Sequence, residues 1–124
     1  MAKKGTQVNC YVCYGIQVDT STLHQTMKRF GFDDIYPFVS SHGLDYLPIE
    51  ETQHPTGYII GKIIYHGLSF TAAELEIMND ILYINNSNTR LSREEEIEIN
   101  RKLYQTGLPP FTKYYFAQNF IKNY

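Results

Sequence analysis

The stretch QVNCYVCYGIQV, residues 7–18, alternates between two kinds of side chain over its whole length. Apolar residues occupy every second position: Val8, Cys10, Val12, Tyr14, Ile16 and Val18. Because successive side chains of a β-strand point to opposite faces of the sheet, this period of two predicts a strand with one face on a core. The other face is half polar and carries Gln7, Asn9, Tyr11, Cys13, Gly15 and Gln17.

Further strands and helices are predicted along the rest of the chain. Residues 57–70 are nearly continuously apolar, which is typical of a strand in the middle of a sheet. The residues 19–22 offer N-cap oxygens to a short amphipathic helix that ends at Gly31. Residues 92–95 form a capping box that opens another helix, and residues 113–121 form an aromatic strand.

Two segments have weaker patterns. Residues 32–56 are acidic and irregular, with an edge strand over Leu44–Glu50, since Pro48 cannot donate a hydrogen bond to a central ladder. Residues 71–84 fit a helix opened by a second capping box. The alternative for that segment is a hairpin turning at Asn79-Asp80, because short apolar runs fit both periods.

The order of these elements is strand, helix, weak strand, strand, helix pair, strand. We therefore expect one α+β domain over residues 1–124, with an antiparallel sheet of about four strands and helices on one face. The order is that of the ferredoxin-like β-α-β-β-α-β motif with a doubled second crossover, in which the first and third strands are central.

Charge and composition narrow the class of protein. A net charge of -2 and a pI near 6.0 argue against bulk electrostatic binding of nucleic acid. No apolar signal segment or membrane span is predicted, and two cysteines do not make a disulfide scaffold, so we expect a cytoplasmic protein. The abundance of Asn, Ile, Lys and Tyr suits an AT-rich genome such as that of a virus or phage. The sequence leaves the oligomeric state open, a homodimer included.

Cys10 and Cys13 have the C-x-x-C spacing of zinc and redox sites. On a strand, however, positions three apart point to opposite faces, so the two sulfurs would not share one ion. We expect two free thiols, with no metal site and no cofactor.

Two further patterns are candidates for chemistry. His42 and His66 each open the pattern His-Gly-Leu-x-aromatic, and two imidazoles could act as acid and base on a phosphoester. Leucines stand where paired-histidine motifs carry a hydroxyl, and the alternative is two turns that each use a glycine. An acidic segment could supply metal ligands, but without diagnostic spacing, from His42, Asp45, Glu50, Glu51 and His54.

Aromatic residues are the most unusual part of the composition, with 11 Tyr and 7 Phe. Tyr11 could join residues of the 114–116 run or Phe120 in an exposed platform, the alternative being that most of these rings are core. The chain is therefore interpreted as a non-catalytic module that binds a protein or a small polar ligand, such as a viral or phage inhibitor. The predicted binding residues are Tyr11, His42, Asp45, Tyr46, His66 and Tyr115. The alternatives are a small histidine-dependent hydrolase or phosphodiesterase and a sheet that binds single-stranded nucleic acid.

Overall fold

Four antiparallel strands form one sheet in the computed structural model, which describes residues 6–69 and 90–123. The strands are β1 (Thr6–Asp19), β2 (Asp45–Pro48), β3 (Gly57–Ser69) and β4 (Tyr114–Asn123). Their order across the sheet is β2-β3-β1-β4. The two segments with the strongest strand patterns, β1 and β3, are therefore central, as predicted.

Three described helices complete an α+β arrangement: α1 (Thr20–Arg29), α2 (Ile35–Ser41) and α3 (Arg93–Gln105). The predicted capping box of α3 is confirmed, since Ser92 and Glu95 each accept a hydrogen bond from the other's backbone N–H. The α1 helix begins after Asp19, whose carboxylate accepts the N–H of Thr22. None of the described helices is long and apolar enough to cross a membrane.

The α2 helix was not predicted, so the interpretation of residues 32–56 as irregular is incomplete. Pro37 does not break this helix because it stands in the first turn, where backbone N–H groups lack an intrahelical partner. The helix buries Phe38 and Val39 in the core. The predicted edge strand is confirmed as β2, and the segment 71–84 lies outside the described residues.

One face of the sheet packs against all three helices. Tyr14, Ile16 and Val18 of β1 supply this side, as the period of two predicts. The buried residues packed with them on this side are Leu23, Met27, Phe38, Val39, Leu44, Ile60, Ile99, Leu103 and Leu108.

The two central strands approach closely at a pair of glycines. Gly15 of β1 lies opposite Gly61 of β3 in the ladder. A Cβ atom on Gly15 would lie 1.9 Å from the carbonyl oxygen of Ile60, and one on Gly61 would lie 1.9 Å from that of Tyr14. Both obstacles are backbone atoms, so only glycine fits at either position.

Replacing Phe38 by alanine tests the contribution of α2 to the core. Phe38 is 0% exposed, so Phe38→Ala should lower the free energy of unfolding by about 3–5 kcal/mol. Tyr36→Ala on the same helix is the matched control, because Tyr36 is 66% exposed and its loss should change stability by less than about 0.5 kcal/mol. Urea denaturation followed by circular dichroism measures both, and equal losses would contradict the packing of α2.

Replacing Gly15 by alanine tests the close approach of the central strands. The added methyl group would meet backbone that cannot rotate away, so Gly15→Ala should cost about 3 kcal/mol or more. Gly31→Ala is the control: its φ of 79° disfavours alanine, but no atom lies within 4 Å of the added carbon, and the cost should be about 1–2 kcal/mol. A smaller loss for Gly15→Ala than for Gly31→Ala would show that the strands can separate there.

Candidate aromatic binding face

The face of the sheet opposite the helices carries a second apolar cluster, which we call the aromatic face. Its residues come from all four strands and from the position after β2: Tyr11, Cys13, Leu47, Ile49, Ile59, Ile63, Phe116 and Phe120. They alternate along the strands with the residues that face the helices. The three described helices contribute nothing to this cluster. Cys13 and Ile59 are fully buried at its centre, whereas Tyr11, Phe116 and Phe120 are half-buried.

An exposed imidazole extends the aromatic face. The ring of His66 stacks on Tyr11 with centroids 4.3 Å apart and planes within 1° of parallel. Phe120 meets Tyr11 edge-on at 5.7 Å. The His66 Nε2–H donates to Oδ1 of Asn9 at 3.1 Å, which fixes the orientation of the imidazole. Three rings from three strands therefore form one continuous surface.

A β-bulge places His66 on this face. Val12 pairs with Tyr65, but the next residue, Cys13, pairs with Ile63, so Ile64 is an extra residue in β3. An extra residue exchanges the faces of all side chains that follow it. Without the bulge, Tyr65 would lie beside Tyr11 and His66 would point towards the helices.

The strands β2 and β3 each carry one aspartate or lysine, Asp45 and Lys62 respectively. Asp45 lies at the edge of the aromatic face, where Oδ2 accepts the N–H of Ile63 at 2.9 Å. Lys62 is the neighbouring cation on β3, but it lies opposite Tyr14 in the ladder and pairs with Glu95 of α3 on the helical side, at 3.7 Å.

Three of the six predicted binding residues lie on or beside the aromatic face: Tyr11, Asp45 and His66. The other three lie on the helical side. Tyr46 packs edge-on against Tyr58 at 6.0 Å. His42 follows α2, donates from Nδ1 to the carbonyl of Phe38 at 3.0 Å, and packs its ring against the ring of that residue.

Tyr115, the sixth predicted residue, takes part in a polar network between β4 and α3. Its ring lies 4.9 Å from that of Tyr14, its hydroxyl donates to Glu96, and it accepts the N–H of Leu91 at 3.1 Å. Burial, and then the hydrogen bond to Glu96, raises the pKa of Tyr115 to about 12. Arg90 covers the ring at 5.0 Å. These contacts tie β4 to the region before α3.

The sheet separates the two histidines that the hydrolase alternative requires to act together. His42 lies among the helices, and His66 lies on the aromatic face. The carboxylate of Glu50 accepts the backbone N–H and the hydroxyl of Thr56, a local contact in the loop before β3. Within residues 6–69 and 90–123, no three metal-ligating side chains converge.

The two cysteines also lie on opposite faces, as predicted from their spacing. Both are free and buried. Cys13 belongs to the aromatic face, and Cys10 alternates with it along β1. Burial, with a smaller contribution from the charge of Asp45, raises the pKa of Cys13 from 9.0 to about 12.

The sequence alone could identify only part of this face. The period of two placed Tyr11 on this face, and residues of the 114–116 run or Phe120 were expected to join it, whereas the partnership of Asn9 with His66 depends on the register between β1 and β3. Comparison with protein-family models, with curated proteins and with solved structures gives no match to this chain. The function has therefore to be inferred from the geometry of the face.

Cys13 should resist alkylation in the native protein. With a pKa of about 12, its thiolate fraction at pH 8 is on the order of one in ten thousand, and thiolate is the reactive form. We expect iodoacetamide at pH 8 to leave Cys13 unmodified over hours and to modify it within minutes in urea. Peptide mass spectrometry measures both reactions.

The same burial predicts how stability depends on alkaline pH. A raised pKa in the folded state means that the fold favours the protonated thiol, so this contribution is complete below pH 9 and is lost as pH rises towards 12. The free energy of unfolding should fall less steeply over that range in Cys13→Ala. Rapid native alkylation, or identical slopes in both proteins, would contradict a buried thiol.

Proposed function

We propose that this chain is a non-catalytic binding module that recognises a partner protein through its aromatic face. The observation that carries the proposal is the surface of three contacting rings: His66 stacked on Tyr11, and Phe120 edge-on to Tyr11. Aromatic side chains cover a large area at a small cost in conformational entropy, and for this reason they dominate recognition surfaces.

The surroundings of the rings support a protein partner. Protein interfaces commonly have an apolar centre and a polar rim. Here the buried centre formed by Cys13 and Ile59 is bordered by the polar groups of Asn9, Gln17 and Gln118, the last of which lies opposite Tyr11 in the β1–β4 ladder. Such a border suits a partner segment that presents apolar side chains between polar ones. A small polar ligand with an aromatic or planar group would use the same surface.

The charges near the face favour a protein over single-stranded nucleic acid. Sheets that bind single strands combine aromatic stacking with lysines and arginines that contact the phosphates. The nearest described cation on β3, Lys62, pairs with Glu95 on the opposite side of the sheet, while Asp45 adds a negative charge at the edge. Asp45 would repel a phosphate backbone, and the net charge of -2 supplies no bulk attraction.

The proposal also covers the fold, the cellular location and the origin of the protein. We propose a single ferredoxin-like domain, supported by the central position of β1 and β3 and by helices before β2 and before β4. We also propose a cytoplasmic inhibitor or sequestering protein of viral or phage origin, supported by the amino-acid bias towards AT-rich codons.

Removing two rings of the face should abolish partner capture. The immobilised wild-type protein should enrich a partner from a lysate, and Tyr11→Ala with His66→Ala should reduce that enrichment by at least about 30-fold, as expected for hot-spot residues. The double variant Tyr36→Ala with His24→Ala is the matched control, because it removes the same two residue types from exposed positions on the helical side. Quantitative mass spectrometry compares the three proteins, and circular dichroism verifies that each is folded.

Two outcomes would contradict the proposal. Equal capture by the wild type and the face variant would show that the partner binds elsewhere. Tight binding of a fluorescein-labelled oligo-dT by the wild type, lost in the face variant and retained in the control, would make the face a single-strand binding site instead. Anisotropy measured at two salt concentrations distinguishes that case, because phosphate contacts weaken steeply with salt.

A further inference from the structure

The two edges of the sheet differ in how well they are protected. The β2 edge has four residues and ends at Pro48, which has no N–H to offer another strand. The β4 edge has 10 residues, from Tyr114 to Asn123, without a proline. Its ladder with β1 runs from Gly15 to Thr6 without a bulge. Short length, proline, bulges and lysines commonly prevent an edge strand from pairing with another chain, and of these β4 has one lysine, Lys122, near its end.

The outer side of β4 can form a second ladder. Among the described strands, β4 pairs with β1 alone. In an antiparallel sheet, alternate N–H and C=O groups of an edge strand point away from the neighbouring strand. Ala117 and Tyr114 of this strand are exposed.

The sequence of β4 is complementary to itself. An antiparallel pair of identical strands with Gln118 on the twofold axis places Phe116 of each copy opposite Phe120 of the other. All three residues belong to the same face of the sheet, because they alternate with Tyr115 along the strand. Aromatic cross-strand pairs stabilise sheets, and the amides of the two Gln118 residues can hydrogen-bond to each other.

Other registers fit less well. Moving the axis by one residue towards Tyr114 places Phe116 opposite Gln118, and moving it the other way places Phe116 opposite Lys122 and Phe120 opposite Gln118. The strand contains one charged residue, Lys122, and the register centred on Gln118 sets it opposite Tyr114, so like charges do not meet. Only this register places both phenylalanines of each copy opposite phenylalanines of the other.

The geometry points to a homodimer in which β4 pairs antiparallel with β4 of a second copy. Each copy supplies the same edge, as a closed twofold interface requires. The two described sheets join into one continuous sheet, and the aromatic faces of the two copies lie side by side. This inference rests on the edge of β4 and not on what the aromatic face binds.

Sedimentation equilibrium measures the predicted association. At a chain concentration of roughly 100 µM, a dimer with a micromolar Kd is almost fully formed. The wild type should then have twice the 14.4 kDa mass of the chain. A monomeric mass at that concentration would overturn the proposal, whatever the variants do.

Charge substitutions at the axis test the register. Gln118→Lys and Gln118→Glu each place like charges directly opposite one another, so each should raise the dimer Kd by roughly five-fold or more at low salt. An equimolar mixture should restore the wild-type mass, because a lysine then faces a glutamate. Gln53→Lys and Gln53→Glu are the matched controls, since Gln53 is exposed in the loop between β2 and β3 at the other edge.

The mixing result also guards against loss of folding. Restored dimerisation shows that both Gln118 variants are folded, and circular dichroism checks each alone. Wild-type association of the single variants, or a monomeric mixture of folded chains, would overturn the pairing through β4. If the Gln53 controls associate as weakly as the Gln118 variants, the effect comes from net charge, and the pairing through β4 is likewise overturned.

Discussion

The contact between Gly15 and Gly61 constrains the rest of the sheet. At this point the backbones of β1 and β3 approach so closely that a methyl group on either glycine would overlap a carbonyl oxygen of the other strand. A pair of positions that accept only glycine defines the alignment of the two central strands, because a shift of one residue would bring a side chain into the contact. The other two strands add to this central pair.

The register then determines which side chains form each face. From Gly57 to Ile63 the alternation of β3 follows that of β1, and Ile60 joins the helices while Ile59 joins the aromatic face. The bulge at Ile64 reverses this alternation for the rest of the strand. His66 thereby stacks on Tyr11, so one extra residue adds a polar ring, held by Asn9, to an apolar sheet face.

Most of the architecture could be predicted because it depends on local patterns. The period of two in β1, the nearly continuous apolar run of β3 and the capping box of α3 each specify an element without reference to the rest of the chain. The α2 helix could not be predicted in this way, because it is short and its proline suggests a break. Its stability comes from burying Phe38 and Val39, which is a tertiary effect.

The aromatic face was predictable on β1 and β4, but the position of His66 depends on a bulge that no local pattern indicates.

The repeated pattern His-Gly-Leu-x-aromatic shows why similar sequences need not form similar sites. At His42 the glycine that follows has a φ of 70° and ends α2, and the imidazole returns to the carbonyl of Phe38. At His66 the chain continues as a strand, and the imidazole is held by Tyr11 and Asn9. Acid–base catalysis by two imidazoles requires both within reach of one substrate atom, and here a sheet lies between them. The same physical separation leaves the aromatic face apolar at its centre and polar at its rim, an arrangement that is common in protein interfaces.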